Sequence, residues 1–205
     1  MTIRPSVVGV RVSVIPAGIG GHKSDDLLAR LETDVLSRKP QWMTLSCGVN
    51  DVFHAHIPGR KGVPLADYRR NVTEILNRCA AAGVKVILMT PTMITEDAEN
   101  VQNVELETYC AWLRQIAAER KLPLADLNAA MRAEVARRRA REHDTKNKLT
   151  WDGIHMVAEG DEMIASGLLT AMGVDNTKDV RIQRAWDVYR QRVAKISGKE
   201  QNPVK

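Results

Sequence analysis

The strongest constraint on this fold is an alternation: short apolar runs of strand type are separated by longer stretches with helical periodicity. The clearest run is Val84-Lys85-Val86-Ile87-Leu88-Met89, entered through Gly83 and closed by Thr90-Pro91-Thr92. Trp42 to Cys47 is a second run. Leu122 to Asp126 is a third, whose Pro123 points to an edge or strand-end position. Val7 to Ile15, β-branched and partly alternating, reads as a further strand that runs into the glycine-rich turn Gly18-Ile19-Gly20-Gly21.

Between these runs the apolar residues repeat at helical spacing. Ser24, followed by Asp25 and Asp26, has the features of an N-cap, and Leu27, Leu28, Leu31, Val35 and Leu36 continue a helix that Pro40 ends. Further helices are expected over about Leu65 to Ala82, Val101 to Lys121, Leu127 to Glu142, Val157 to Met172 and Asp179 to Ile196. Strands joined by helical crossovers build parallel sheets covered on both faces. The expected fold is therefore α/β, a three-layer α/β/α sandwich of flavodoxin-like type with a mostly parallel sheet. The 205 residues suit one domain over residues 1–196, with residues 197–205 as a frayed tail.

Composition excludes several functions. Aromatic residues make up 4% of the chain, with a single Phe, too few for platforms that stack single-stranded nucleic acid. The net charge of +5 gathers in Arg137-Arg138-Arg139 with Arg141 and in the tail from Arg181 to Lys205. Both stretches have helical periodicity, so solvated helix faces are expected and no nucleic-acid partner. Cys47, Cys79 and Cys110 lack metal or disulfide spacing. No apolar run reaches membrane-spanning length, and residues 1–21 are interrupted by Arg4, Pro5, Arg11 and Pro16, so neither a signal peptide nor a membrane partner is expected. The compartment stays open: cytoplasmic if Met1 is the true start, exported if a signal was lost with the N-terminus.

Functional groups in parallel sheets gather beyond the carboxyl ends of the strands. Three unusual turns fall there: Gly18 to Gly21, Gly48-Val49-Asn50-Asp51 and Thr150-Trp151-Asp152-Gly153-Ile154-His155. Asp152 and His155 have the spacing of a base with its orienting carboxylate, or of a structural hydrogen bond between loop and helix. Asn50-Asp51 equally suits an Asx turn or a helix cap, and Gly21 a simple turn. Trp151 either walls a site or packs, with packing favoured. His22, His54, His56 and His143 read as loop or surface residues, and neither a metal nor a cofactor is expected.

In their order along the chain, these turns resemble the blocks of the SGNH hydrolases, the GDSL family of esterases and lipases. Gly18 to Gly21 is similar to the glycine block, Gly48 to Asp51 to the GxND block and Asp152 to His155 to the DxxH block, and the resemblance spans about Val12 to Met172. It implies a metal-independent ester hydrolase acting through an acyl-serine intermediate on a small ester, such as an acetylated carbohydrate. It also implies that the Gly21 N–H and the Asn50 amide form the oxyanion hole, His155 is the general base and Asp152 its orienting partner. Asp51 is expected to shape its turn.

The family's first block, Gly-Asp-Ser after the first strand, is absent. Residues 1–21 have room for one strand but not for the strand, turn and helix that the family places ahead of it. The first strand of the sheet is thus expected to be missing and no nucleophile is identified: Ser24 suits a helix cap, and Ser13 lies in the expected strand. Truncation and natural loss both fit, and either predicts little or no turnover by this chain. The alternative function is a catalytically dead ligand-binding or interaction protein on the same fold.

Overall fold

The computed structural model describes residues 13–142, 148–175 and 179–200. Three parallel strands, β1 (Trp42–Ser46), β2 (Lys85–Met89) and β3 (Leu124–Ala125), lie in the order β1-β2-β3. The helices are α1 (Ser24–Ala29), α2 (Leu31–Asp34), α3 (Val49–Phe53), α4 (Leu65–Ala81), α5 (Val101–Glu119), α6 (Leu127–Glu142), α7 (Ala158–Ala171) and α8 (Val180–Glu200). Trp42 stands opposite Lys85 and Ser46 opposite Met89, while β3 pairs only with Leu88 and Met89 at the end of β2. The sheet is therefore three strands wide only at its carboxyl edge.

Alternation along β2 explains the layering. Val86 and Leu88 enter the main core, whereas Met89 packs with Ala125 and Leu127 against Ile164 and Leu168 of α7. On the main-core side, Tyr68, Val72, Ile75, Leu76 and Cys79 form a helical stripe on α4 that meets Leu106, Tyr109, Cys110 and Leu113 of α5. The Tyr68 and Tyr109 rings meet edge to face at 4.9 Å. Their buried hydroxyls also have partners: Tyr109 donates to the Val63 carbonyl at 2.8 Å, and Tyr68 to the Cys47 carbonyl at 3.0 Å. The second bond fixes the chain where it leaves β1, one residue before Gly48.

Several expectations are revised. Residues 13–15 form no strand, and the exposed Val14 and Ile15 show that their apolar alternation finds no partner; residues 7–12 lie outside the described residues. The helix expected from Ser24 to Leu36 breaks at Arg30, whose guanidinium leaves the helix face to bind the Ala17 carbonyl at 2.5 Å and Asp34 at 2.9 Å. Ser24 is not its cap. Lys23 holds that position, donating its N–H to Asp26 at 2.9 Å, and Ser24 is the buried first residue of α1. At the other end, α8 continues to Glu200, through residues expected as a tail.

Candidate active site

The first half of the site joins two turns far apart in sequence. Gly48 sits at φ +128, and a Cβ there would lie 2.9 Å from Pro91 Cγ, so glycine is required both for its conformation and for the close approach. The chain then turns directly into α3, whose first turn carries Asn50 and Asp51. Asn50 donates through Nδ2 to the His22 carbonyl at 3.0 Å, which places the Gly18–Gly21 turn beside α3. An amide has two N–H groups, and the second has no partner among the described residues. Gly21, at φ +80, likewise donates its N–H to no described group.

Asp51 locks this arrangement from inside. Its carboxylate is buried and accepts the Ser24 N–H at 3.0 Å and the Ser24 hydroxyl at 2.5 Å; Asn71 donates to the same hydroxyl oxygen at 3.1 Å. Burial pushes the Asp51 carboxyl above its ordinary value, and the Ser24 bonds pull against that shift. Asp51 thus does more than shape its own turn: it bonds α3 to α1. The same bonds bury and occupy the Ser24 hydroxyl, which removes it as a nucleophile.

The second half is local. His155 Nδ1 lies 2.7 Å from Asp152 Oδ2, while Asp152 Oδ1 accepts the backbone N–H groups of Ile154 at 2.9 Å and His155 at 2.8 Å. These bonds, that from the His155 backbone foremost, hold the Asp152 carboxyl down at about 2. It is therefore an anion across the neutral range, favouring the proton on Nδ1 and a free lone pair on Nε2. The His155 side chain is 68% exposed, enough to meet a ligand from solvent.

Trp151 does not pack inside, as expected, but is 69% exposed and stacks on the His155 ring at 5.5 Å between centroids and 21° between planes. The apolar-inside reading missed that the loop's anchoring apolar residue is Ile154, which packs against the main core. The loop is closed by an antiparallel bridge between Thr150 and Met156 and by the Trp151 N–H on the His155 carbonyl at 3.0 Å. It docks where the Thr95 N–H meets the Gly153 carbonyl at 2.6 Å. Thr95 has φ 59, in the left-handed region unusual for a β-branched residue, and Gly153 has φ 96. No residue-type signal marks Thr95 in the sequence, because its contact is made by backbone.

Gly21 and Asn50 therefore come together through His22, and Asp152 and His155 pair directly. The two pairs share the main core, which takes Val49 and Val52 from α3 and Ile154 from the second loop, but no hydrogen bond joins them among the described residues. Ser13 is exposed and makes no hydrogen bond to His155. Among the described residues no group of three His, Cys, Asp or Glu side chains could hold a metal. His54 is buried rather than at the surface, 3.2 Å from Arg60 Nη1, with its pKa lowered by burial and by that arginine. His56 pairs with Glu105 at 2.8 Å.

Residues 4–163 match the model of the GDSL-like lipase/acylhydrolase family. The chain belongs to this family. Its fold and enzyme class are those of the SGNH ester hydrolases. It is 29% identical over 171 residues to an acetylxylan esterase of Geobacillus stearothermophilus, a match covering 82% of this chain and 74% of that protein. The crystal structure of the acetyl xylan esterase AlAXEase superposes with a TM-score of 0.71 at 31% identity, covering 76% of this chain and 78% of the other. The acetylxylan esterase Axe2 of G. stearothermophilus superposes with a TM-score of 0.66 at 28% identity, covering 76% and 69%. Structures of Axe2 catalytic mutants include changes at a serine, at an aspartate and at a histidine three residues beyond that aspartate. Among the described residues of this chain, no helix is long and apolar enough to cross a membrane.

Proposed function

We propose that this chain carries the oxyanion donors and the base of a serine hydrolase acting on acetyl esters of carbohydrates, and that the 205 residues alone do not turn over because they contain no Gly-Asp-Ser block. The observation that carries the reading is the solvent-facing Asp152–His155 pair at 2.7 Å. In the full reaction a serine hydroxyl gives its proton to His155 Nε2 as its oxygen attacks the acetyl carbonyl. Asp152 stabilises the imidazolium that forms. The carbonyl oxygen becomes an anion facing the N–H of Gly21 and the Asn50 N–H that has no partner among the described residues, each such donor lowering the barrier by about 3 kcal/mol. His155 gives that proton to the sugar oxygen as its bond to the acetyl carbon breaks. A water then attacks the acetyl-serine as His155 takes its proton, and His155 returns the proton to the serine oxygen as acetate leaves. The exposed Trp151 face beside His155 suits a sugar ring, and the acetylxylan esterase relatives support the same substrate class.

Titration with acetylated xylooligosaccharides, alongside a fluorophosphonate probe, tests both parts. Saturable binding without acetate release or labelling is expected; binding weakens with deacetylated oligosaccharides. Stoichiometric labelling of Ser13 or Ser24 contradicts the absence of a nucleophile, and failure to distinguish acetylated from bare oligosaccharide contradicts the substrate class.

A further inference from the structure

Outside the four residues of the site, one buried carboxyl group stands out. Glu96 is 1% exposed, in the loop that follows β2, and among the described residues it is met by four donors from one short segment. Its Oε2 accepts the Lys148 N–H at 2.6 Å. Its Oε1 accepts the Leu149 N–H at 2.7 Å, the Thr150 N–H at 2.8 Å and the Thr150 hydroxyl at 2.8 Å. Three successive backbone N–H groups converging on one carboxylate form an anion nest, here filled by the protein itself. Burying a carboxylate is costly unless its lone pairs are satisfied, so this geometry strongly favours one placement of residues 148–150.

Glu96 is itself rigidly held. Ile94 donates its N–H to Asn103 Oδ1 at 2.8 Å, and the buried Asn103 amide donates back to the carbonyls of Ile94 and Asp97 at 2.6 Å each. The neighbouring Thr95 N–H holds the Gly153 carbonyl. Two consecutive residues, Thr95 and Glu96, thus grip the same loop at two points, one on either side of Asp152. Thr150 is also the residue bridged to Met156, and the adjacent Trp151 N–H binds the His155 carbonyl.

Resting on the hydrolase reading of this site, we propose that Glu96 is a positioning residue for the base: by anchoring residues 148–150 it sets the place of the Asp152–His155 loop and keeps the His155 proton on Nδ1. It touches no reacting atom. Its effect passes through Thr150 and the loop closure to His155.

The test uses the full chain and no substrate. Long-range ¹H–¹⁵N spectra read the His155 tautomer, with Asp152→Asn as the reference for loss of the Nδ1–H form, and amide exchange reads the loop. In Glu96→Ala, exchange at Leu149, Thr150 and Trp151 should accelerate at least tenfold while Val86 and Leu88 of β2 keep their protection, and the tautomer should shift toward the Asp152→Asn spectrum. Glu96→Gln keeps one acceptor oxygen but turns an amide donor toward a backbone N–H, so it should shift both readouts in the same direction by less. An unchanged tautomer in a folded Glu96→Ala protein, or in Glu96→Gln if the alanine variant does not fold, overturns the proposal. So does loss of protection spread evenly over the whole chain, which assigns Glu96 to general stability. Failure of the hydrolase reading would appear separately, in ester binding and turnover.

Discussion

The two halves of the site differ in how far apart in sequence their own residues lie. Gly21 and Asn50 are set by side chains that reach across the fold: Asn50 to His22, and the buried Asp51 to Ser24, 27 residues away. Asp152 and His155 lie within one exposed loop and pair directly with each other, while the loop is held from outside through its own backbone N–H and carbonyl groups, gripped by Glu96 and Thr95. The difference fits the roles proposed for the two halves. Oxyanion donors stabilise charge only if they are fixed beforehand, and fixing them needs a desolvated frame. A base must exchange protons with substrate and water, so it faces solvent and takes its rigidity from the loop beneath it.

This contrast can be broken by substitution. Asp51→Ala leaves the buried Ser24 N–H and hydroxyl without an acceptor and should cost about 3 kcal/mol in denaturant unfolding, whereas Asp51→Asn, which keeps an acceptor oxygen, should cost far less. Equal losses in the two variants would show that the bonds to Ser24 do not hold the oxyanion half. Gly48→Ala should come next, at about 2 kcal/mol, since it combines a disfavoured φ with a contact to Pro91. A neutral Gly48→Ala would mean that the turn between β1 and Asn50 yields easily.

Acid should separate the halves further. The Asp152 carboxyl is depressed to about 2, so its contribution is present above its ordinary 3.8 and is lost as pH falls through about 2. Asp51 is shifted upward, so its contribution is fullest below 3.8 and is lost as pH rises through its higher folded value. Stability profiles should therefore flatten below 3.8 in Asp152→Asn and above 3.8 in Asp51→Asn; slopes of the same sign at both sites would contradict the assignment. Trp151→Ala should have the smallest effect on stability, within about 0.5 kcal/mol because the side chain is exposed, yet it should weaken oligosaccharide binding several-fold.

The sequence is most readable where chemistry is local. Asp152 and His155 stand three residues apart and bond within one loop, so their pairing can be read from spacing alone. Gly48 and Asn50 were legible as a motif, but the reason for the glycine, Pro91 on the neighbouring strand end, was not. Ser24 reads as a cap because capping is the local use of a serine before two aspartates; its actual partner is reached only by folding. Glu96 left no signal at all, since its donors are mostly backbone N–H groups, which every residue carries. The strands β1, β2 and β3 are readable from their apolar runs, whereas at Val14 and Ile15, the described end of the run from Val7, the same cue finds exposed residues and no strand.

If Gly21, Asn50, Asp152 and His155 are the oxyanion donors and the base, what these 205 residues lack is the strand, Gly-Asp-Ser block and helix that carry the attacking serine. The direct measurement is acetyl-ester hydrolysis by a chimera in which the first strand, Gly-Asp-Ser block and following helix of an acetylxylan esterase relative precede this chain. Activity should rise at least about a hundredfold over the chain alone, and His155→Ala should abolish the gain. A folded chimera that stays inactive, or whose activity survives His155→Ala, would contradict it.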